Sequence, residues 1–206
     1  MWSGVHWLGH DSFRFDGPPV LYVDPYELAS AAPAADVLLI THEHFDHCSP
    51  EDLARCRTPA TVVVAPAAAA ALLPGPVTVI SAGQELRVGS LHLRAVPAYN
   101  TGRRFHPREA GGVGYLFEIG GKLVYHAGDT DHIPEMTDLR PDLALLPVSG
   151  TYVMTAEEAA AAARSLCARA VAPMHWGSIV GGRADADRLA ELLRGSGIEV
   201  SILERE

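Results

Sequence analysis

Read for its hydrophobic and polar positions, the chain breaks into many short apolar runs separated by glycine, proline and acidic residues: VHWLGH, SFRFDG, VLYVD, DVLLI, TVVVA, LHLRAV, VGYLFEI, KLVYHA, DLALLPV, AVAPM and EVSIL. Runs of this kind predict buried or half-buried β-strands. Between them lie stretches of helical period: SPEDLARC, APAAAAALL, TAEEAAAAARSLCA and ADADRLAELLRG. Thr155 stands as an N-cap with Glu158 at the third helical position, Ser49-Pro50-Glu51 forms another helix start, and Gly195 closes the last helix. Early strands follow one another as hairpins and later ones alternate with helices, which predicts sheets covered on their outer faces by helices. One stretch fits neither period: NTGRRFHPREAGG, Asn100 to Gly112, a loop long enough to be functional.

With 206 residues, 48% of them hydrophobic, the chain can bury a sizeable core, and no linker divides it, so one domain over residues 1–206 is expected. The net charge of -9 argues against nucleic acid as a partner, because holding a phosphate backbone needs a clustered basic face. It leaves room for a small anionic substrate. The longest apolar stretch, Ala65 to Ile80, is interrupted by Pro66, Pro74, Gly75 and Pro76, so no membrane span is expected. The start, MWSGVHWLGHDSF, lacks the layout of a signal peptide. Cys48, Cys56 and Cys167 are an odd set without framework spacing, which predicts reduced thiols and a cytoplasmic protein. Oligomeric state is not legible.

The chemistry concentrates in THEHFDHCSPE, Thr41 to Glu51. DVLLI delivers this stretch from a strand, and Ser49-Pro50-Glu51 turns it into a helix, so His42, His44, Asp46 and His47 occupy a strand-to-helix loop. A lone histidine is seldom a ligand, but four coordinating groups within about one turn of backbone are a different matter. Neutral imidazole and carboxylate oxygen suit zinc and other divalent transition metals. His42 and His44 can approach one ion from the same side, with Asp46 and His47 turned toward a second.

His42-Glu43-His44-Phe45-Asp46-His47 resembles the H-x-H-x-D-H motif of the metallo-beta-lactamase-fold hydrolase superfamily. Asp129 in YHAGDTD matches that family's later strand-end aspartate, which bridges two metals, and His175 in APMHWGS matches its last histidine. The opening WLGHDSFRF is similar to the "GH-small-S-F" start of the small branch related to ascorbate-6-phosphate lactonases and the N-acyl phosphatidylethanolamine phospholipase D type. The resemblance implies an α/β fold, an αββα sandwich of two mixed sheets flanked by helices with the site at the sheet edges. It implies one or two zinc ions, with manganese or iron as alternatives. It also implies a further histidine near residue 100, where this chain has Asn100. Three outcomes are open there: His106 swings in from the loop, Asn100 coordinates through its oxygen, or water completes an incomplete site.

The resemblance further implies a hydrolase in which a metal-bound hydroxide attacks a small ester, lactone or phosphodiester, with Asp46 orienting it or accepting its proton. Asp46, His10 and His106 are the candidates for catalytic work. Arg103, Arg104 and Arg108 are candidates for pairing with an anionic substrate from a glycine-hinged lid. Tyr152 is a candidate hydrogen-bond donor to an oxyanion, and Trp176 a candidate pocket wall. Two further functions stand beside this one: an iron-dependent redox enzyme of the same fold, and a noncatalytic metal-binding regulatory module, which Asn100 keeps open.

Overall fold

The computed structural model describes residues 2–29 and 31–206. A first sheet contains β1 (Val5–Gly9), β2 (Ser12–Phe15), β3 (Leu21–Val23), β4 (Val37–Leu39), β5 (Val62–Ala65) and β6 (Thr78–Val79), in that spatial order. A second contains β7 (Glu85–Val88), β8 (Leu91–Pro97), β9 (Val113–Ile119), β10 (Lys122–His126), β11 (Leu143–Pro147), β12 (Ala170–Met174) and β13 (Glu199–Val200), again neighbour by neighbour. Each sheet begins antiparallel and finishes parallel, the change falling after β3 in one and after β10 in the other.

This arrangement follows from the apolar runs. In β4 and β5 every residue but one is buried, and the two faces serve different partners. Val37, Leu39 and Val64 join the core shared with the second sheet, while Leu38, Val63 and Ala65 join an outer cluster with Leu53, Cys56 and Ala69. A strand covered on both faces carries an unbroken apolar run. The outer cover comes from α1 (Pro50–Cys56) and α2 (Ala67–Ala70). On the second sheet α3 (Ala156–Ser165) and α4 (Arg183–Leu193) pack on each other and against β11 to β13. The result is the αββα sandwich expected from the resemblance.

Local signals hold at the helix starts. Ser49 caps α1, and Thr155 and Glu158 form the reciprocal capping box of α3. The alanine-rich stretch is the exception: it yields only the four residues of α2, because Pro66 precedes them and Pro74, Gly75 and Pro76 follow closely.

The sheets are tied together at one edge. The Val113 N–H donates to the Thr41 carbonyl at 3.0 Å, and the Tyr115 hydroxyl to the Ile40 carbonyl at 2.8 Å. At that edge the chain leaves the carboxyl ends of several strands: Asp24 follows β3, Thr41 lies just past β4, Asp129 past β10, Ser149 past β11 and His175 past β12. Open sheets characteristically place ligands in the crevice outside such strand ends.

Candidate metal centre

Nine side chains converge there: His10, Asp11, His42, His44, Asp46, His47, His106, Asp129 and His175. Donor atoms of His42, His44 and His106 lie within 4.8 Å of one another, as do those of Asp11, His47, Asp129 and His175, and those of His10, Asp46, His47 and His175. Asp129 joins the halves. Its Oδ2 is 3.3 Å from Nε2 of both His106 and His175, and its Oδ1 is 3.4 Å from His47 Nε2.

Several imidazoles are anchored at Nδ1, so that Nε2 faces the others. Asp24 accepts from His47 Nδ1 at 2.8 Å and from Thr41 through its backbone N–H (2.8 Å) and its hydroxyl (2.5 Å). The Thr41 hydroxyl is 3.0 Å from His42 Nδ1, and the Ser149 hydroxyl 2.9 Å from His175 Nδ1. His106 directs Nδ1 at the Tyr152 carbonyl, 3.3 Å away. Such outer partners fix ring orientation in metal sites. His10, Asp24, His106 and His175 also have φ between 46° and 59°. This left-handed conformation costs an L-residue roughly 1–3 kcal/mol, strain typical of functional sites. Gly128, just before Asp129, is needed for a related reason: with φ of 64°, a Cβ there would lie 3.0 Å from the Val113 carbonyl.

The place near residue 100 is filled in an unexpected division of labour. His106 reaches the first half, with Nε2 3.0 Å from His44 Nδ1. Asn100 holds it there. Its backbone N–H donates to the His106 carbonyl at 2.8 Å, and its side-chain amide donates to the carbonyls of Phe105 (2.9 Å) and Tyr152 (2.6 Å).

The electrostatics separate the two halves. Burial, with His47 alongside, keeps the His42 imidazole well below its ordinary pKa, and burial also lowers His106. Both are neutral donors at pH 7. In the other half burial opposes charge, yet Asp129 and Asp24 hold His47 well above the ordinary value, and Asp129 raises His175 to about 9. Burial would raise Asp129, but His175 and His47 hold it well below the carboxylate range. Burial likewise opposes ionisation of Asp46, which its hydrogen bond with His10 at 3.1 Å keeps depressed.

The residues present fit a metal. Among the described residues, the buried side-chain atoms without a hydrogen-bond partner include His47 Nε2, Asp129 Oδ1, both oxygens of Asp11 and His10 Nδ1. Orphaned polar atoms are rare in folded proteins, and a cluster of them is accounted for by an ion. A void of about 40 Å³ is lined by His42, His44, His106 and Asp129 among others, against the 10–15 Å³ or so that a water-sized sphere requires.

A cleft of about 250 Å³ opens above the centre, lined by His44, Asp46, His106, Asp129 and His175 and rimmed by Phe45, Phe105, Tyr152, Ile179 and Val180. Of the candidate substrate contacts, Tyr152 reaches this cleft and the others do not. Arg103 pairs with Asp131 and Glu158, Arg108 pairs with Glu135 and lies over the Tyr99 ring, and Arg104 is solvent-exposed. Acidic partners distant in sequence have drawn the Arg103 and Arg108 guanidiniums away. Trp176 stacks on Trp7 with ring centroids 4.4 Å apart and donates to the Pro173 carbonyl.

Sequence reasoning passed over Asp11, Asp24 and Ser149. A signal existed for the first two, since each carboxylate directly adjoins an apolar run with no local partner. His126 anchors the backbone beside the centre: its Nε2 lies 2.9 Å from the Asp11 carbonyl, and its Nδ1 accepts from the Gly128 N–H.

An αββα sandwich with histidines and aspartates at its strand ends defines a metallo-beta-lactamase-fold protein. Residues 4–175 match the family described as "Beta-lactamase superfamily domain", and the chain belongs to that superfamily. A protein of Thermococcus onnurineus named "UPF0173 metal-dependent hydrolase" is 33% identical over 97% of this chain and 96% of its own. One of the same name from Myxococcus xanthus is 35% identical over 84% of this chain and 70% of its own. A solved structure from Parabacteroides distasonis, assigned as a metal-dependent hydrolase, superimposes with a TM-score of 0.88 at 36% identity, covering 98% of this chain and 93% of that one. Igni18, a metallo hydrolase from Ignicoccus hospitalis, shares the fold at 22% identity, with a TM-score of 0.79 over 97% of this chain and 94% of its own. Among the described residues no helix is long and apolar enough to cross a membrane.

Proposed function

We propose that this protein is a metal-dependent hydrolase of small esters, lactones or phosphodiesters that carry an apolar substituent. The convergence of orphaned imidazole and carboxylate atoms beneath an open cleft supports this reading above any other observation. His42, His44 and His106 would hold one ion and Asp46, His47 and His175 a second, with Asp129 shared between them; zinc, manganese and iron all suit these donors. A divalent ion bound there lowers the pKa of water toward about 7 and polarises a carbonyl or phosphoryl oxygen.

The chain's own groups supply the rest. Asp46 lines the cleft and remains ionised because His10 donates to it, so it can accept a proton beside the reacting atoms. His10 is a positioning residue in this scheme. Phe45, Phe105 and Ile179, which are 66%, 44% and 42% exposed, offer a water-excluding seat for an aryl or acyl group next to the bond to be cleaved. The Tyr152 hydroxyl is the candidate donor to a developing oxyanion.

The test is turnover of bis-aryl phosphodiesters, aryl esters and lactones by protein loaded separately with zinc, manganese or iron. Activity should depend on the ion, disappear in His42→Ala and favour apolar leaving groups. Oxygen-dependent turnover with stoichiometric iron would replace this reading with the redox alternative. Full ion uptake without turnover of any substrate would replace it with the noncatalytic module.

A further inference from the structure

The two halves of the centre differ in their donors. His42, His44 and His106 contribute only imidazole, whereas Asp11 stands with His47, Asp129 and His175 in the other half, which also contains Asp46. Asp11 is completely buried, and neither of its oxygens has a hydrogen-bond partner among the described residues. Its Oδ2 lies 3.6 Å from His47 Nε2, which also lacks a partner. The surrounding backbone is built to aim it. Gly9 and His10 turn the chain between β1 and β2 with φ of 112° and 50°, and His126 Nε2 lies 2.9 Å from the Asp11 carbonyl. A carboxylate buried at this depth without a hydrogen-bond partner is strongly disfavoured unless a positive charge sits beside it. A cation between Asp11, Asp129, His47 and His175 supplies that charge.

We propose that Asp11 is a ligand of the carboxylate-rich half, and that it raises this half's relative preference for a harder divalent ion, Mn²⁺ or Fe²⁺, compared with the all-imidazole half. Oxygen donors suit harder ions and imidazole suits zinc, while zinc exceeds manganese in raw affinity at most sites. The prediction therefore concerns the ratio of affinities. Asp11 would add a second carboxylate to Asp129 beside His47 and His175, and zinc's advantage should be smaller there. The inference rests on the proposed metal binding but not on hydrolysis.

The experiment titrates the metal-free protein with Mn²⁺, followed by electron paramagnetic resonance, and with Zn²⁺, followed by competition with a chromophoric chelator. Wild type is compared with Asp11→Asn and Asp11→Ser, whose folding is checked by circular dichroism. Loss of an outer partner alone typically weakens metal affinity roughly 10–100-fold, so loss of a ligand should weaken Mn²⁺ binding at the second site by about tenfold or more. Zn²⁺ binding at the same site should weaken by a smaller factor, and binding at the imidazole site should stay within about twofold. Wild-type crystals soaked in Mn²⁺ supply a reading independent of both variants: the anomalous peak should lie about 2.2 Å from an Asp11 oxygen, the usual carboxylate-to-metal distance. An ion seated beyond coordinating distance of both oxygens, or second-site Mn²⁺ affinity unchanged in both variants, would overturn the proposal while leaving the hydrolase reading in place. Wild type that takes up no ion would overturn both.

Discussion

The loop from Thr41 to Ser49 presents His42, His44, Asp46 and His47 from six consecutive positions, while the longer loop from Ala98 to Gly112 presents His106 alone. The first is fixed over short distances: β4 delivers it, Ser49 caps the helix that follows, and Cys48 N–H donates to the His44 carbonyl at 2.7 Å. The second is held by partners remote in sequence, namely Asp131, Glu135, Tyr152 and Glu158. A ligand set encoded in backbone spacing survives as a motif. In a loop held by tertiary contacts, His106 reaches the place near residue 100 where the resemblance implies a histidine.

The comparison breaks most severely at Asp24, which reaches the first loop from β3 and holds both Thr41 and His47. Asp24→Ala strands the Thr41 N–H, the Thr41 hydroxyl and His47 Nδ1 in a fully buried place. Removing one partner of such a network costs about 3–5 kcal/mol. Urea unfolding of the metal-free variant should show that loss, and second-site metal uptake should fall with it. A variant as stable as wild type would mean that this loop orders itself without Asp24.

Asn100→Ala probes the second loop at its base. The carbonyls of Phe105 and Tyr152 lose their donor, a change worth about 1–3 kcal/mol. Ion affinity at the half containing His106 should fall roughly 10–100-fold, the usual consequence of losing an outer partner. The half built on Asp46, His47 and His175 should be unaffected, which competition titration with two resolved sites can verify. Equal weakening of both sites would contradict the division between the loops.

Arg103→Ala should have a smaller effect. Arg103 links the loop to Asp131 and Glu158, and its loss is expected to cost about 1 kcal/mol, because its side chain is 26% exposed. Amide hydrogen exchange should quicken across residues 100–110 but not across 41–49.

These contrasts also explain how far the sequence could be read. The unbroken apolar runs DVLLI and TVVVA and the capping box at Thr155 and Glu158 are local signals, and each forms the element it predicts; the H-x-H-x-D-H spacing is equally local and falls in the strand-to-helix loop. His106 was one open possibility because a loop histidine close to Asn100 is within reach, but the role of Asn100 as its tether depends on Tyr152, 52 residues away. Asp24 and Asp11 escaped notice since a carboxylate adjoining a strand resembles an ordinary turn residue until its burial is known. The three arginines suggest a glycine-hinged lid in the sequence, but the acidic partners of Arg103 and Arg108 lie 27 to 55 residues further along.

The smallest expected effect tests whether the second loop's tether is partly ionic. Glu158 accepts from the Thr155 N–H at 2.7 Å as part of the α3 cap and pairs with Arg103 at 3.0 Å. Burial would raise its pKa, but the Thr155 N–H and Arg103 outweigh it and hold the carboxyl below its ordinary 4.5. A group whose folded pKa is depressed contributes stability that is present above the unfolded pKa and lost as pH falls through the folded one. The stability difference between wild type and Glu158→Gln should therefore be constant above about pH 5.5 and shrink below about pH 4. With the side chain 42% exposed, solvent screening keeps the difference well under about 1 kcal/mol. In Arg103→Ala the same difference should be smaller and should fade at higher pH, because Glu158 then titrates closer to its ordinary value. If the two pH profiles coincide, the cap alone holds Glu158 ionised, and Arg103 tethers the loop through Asp131 alone.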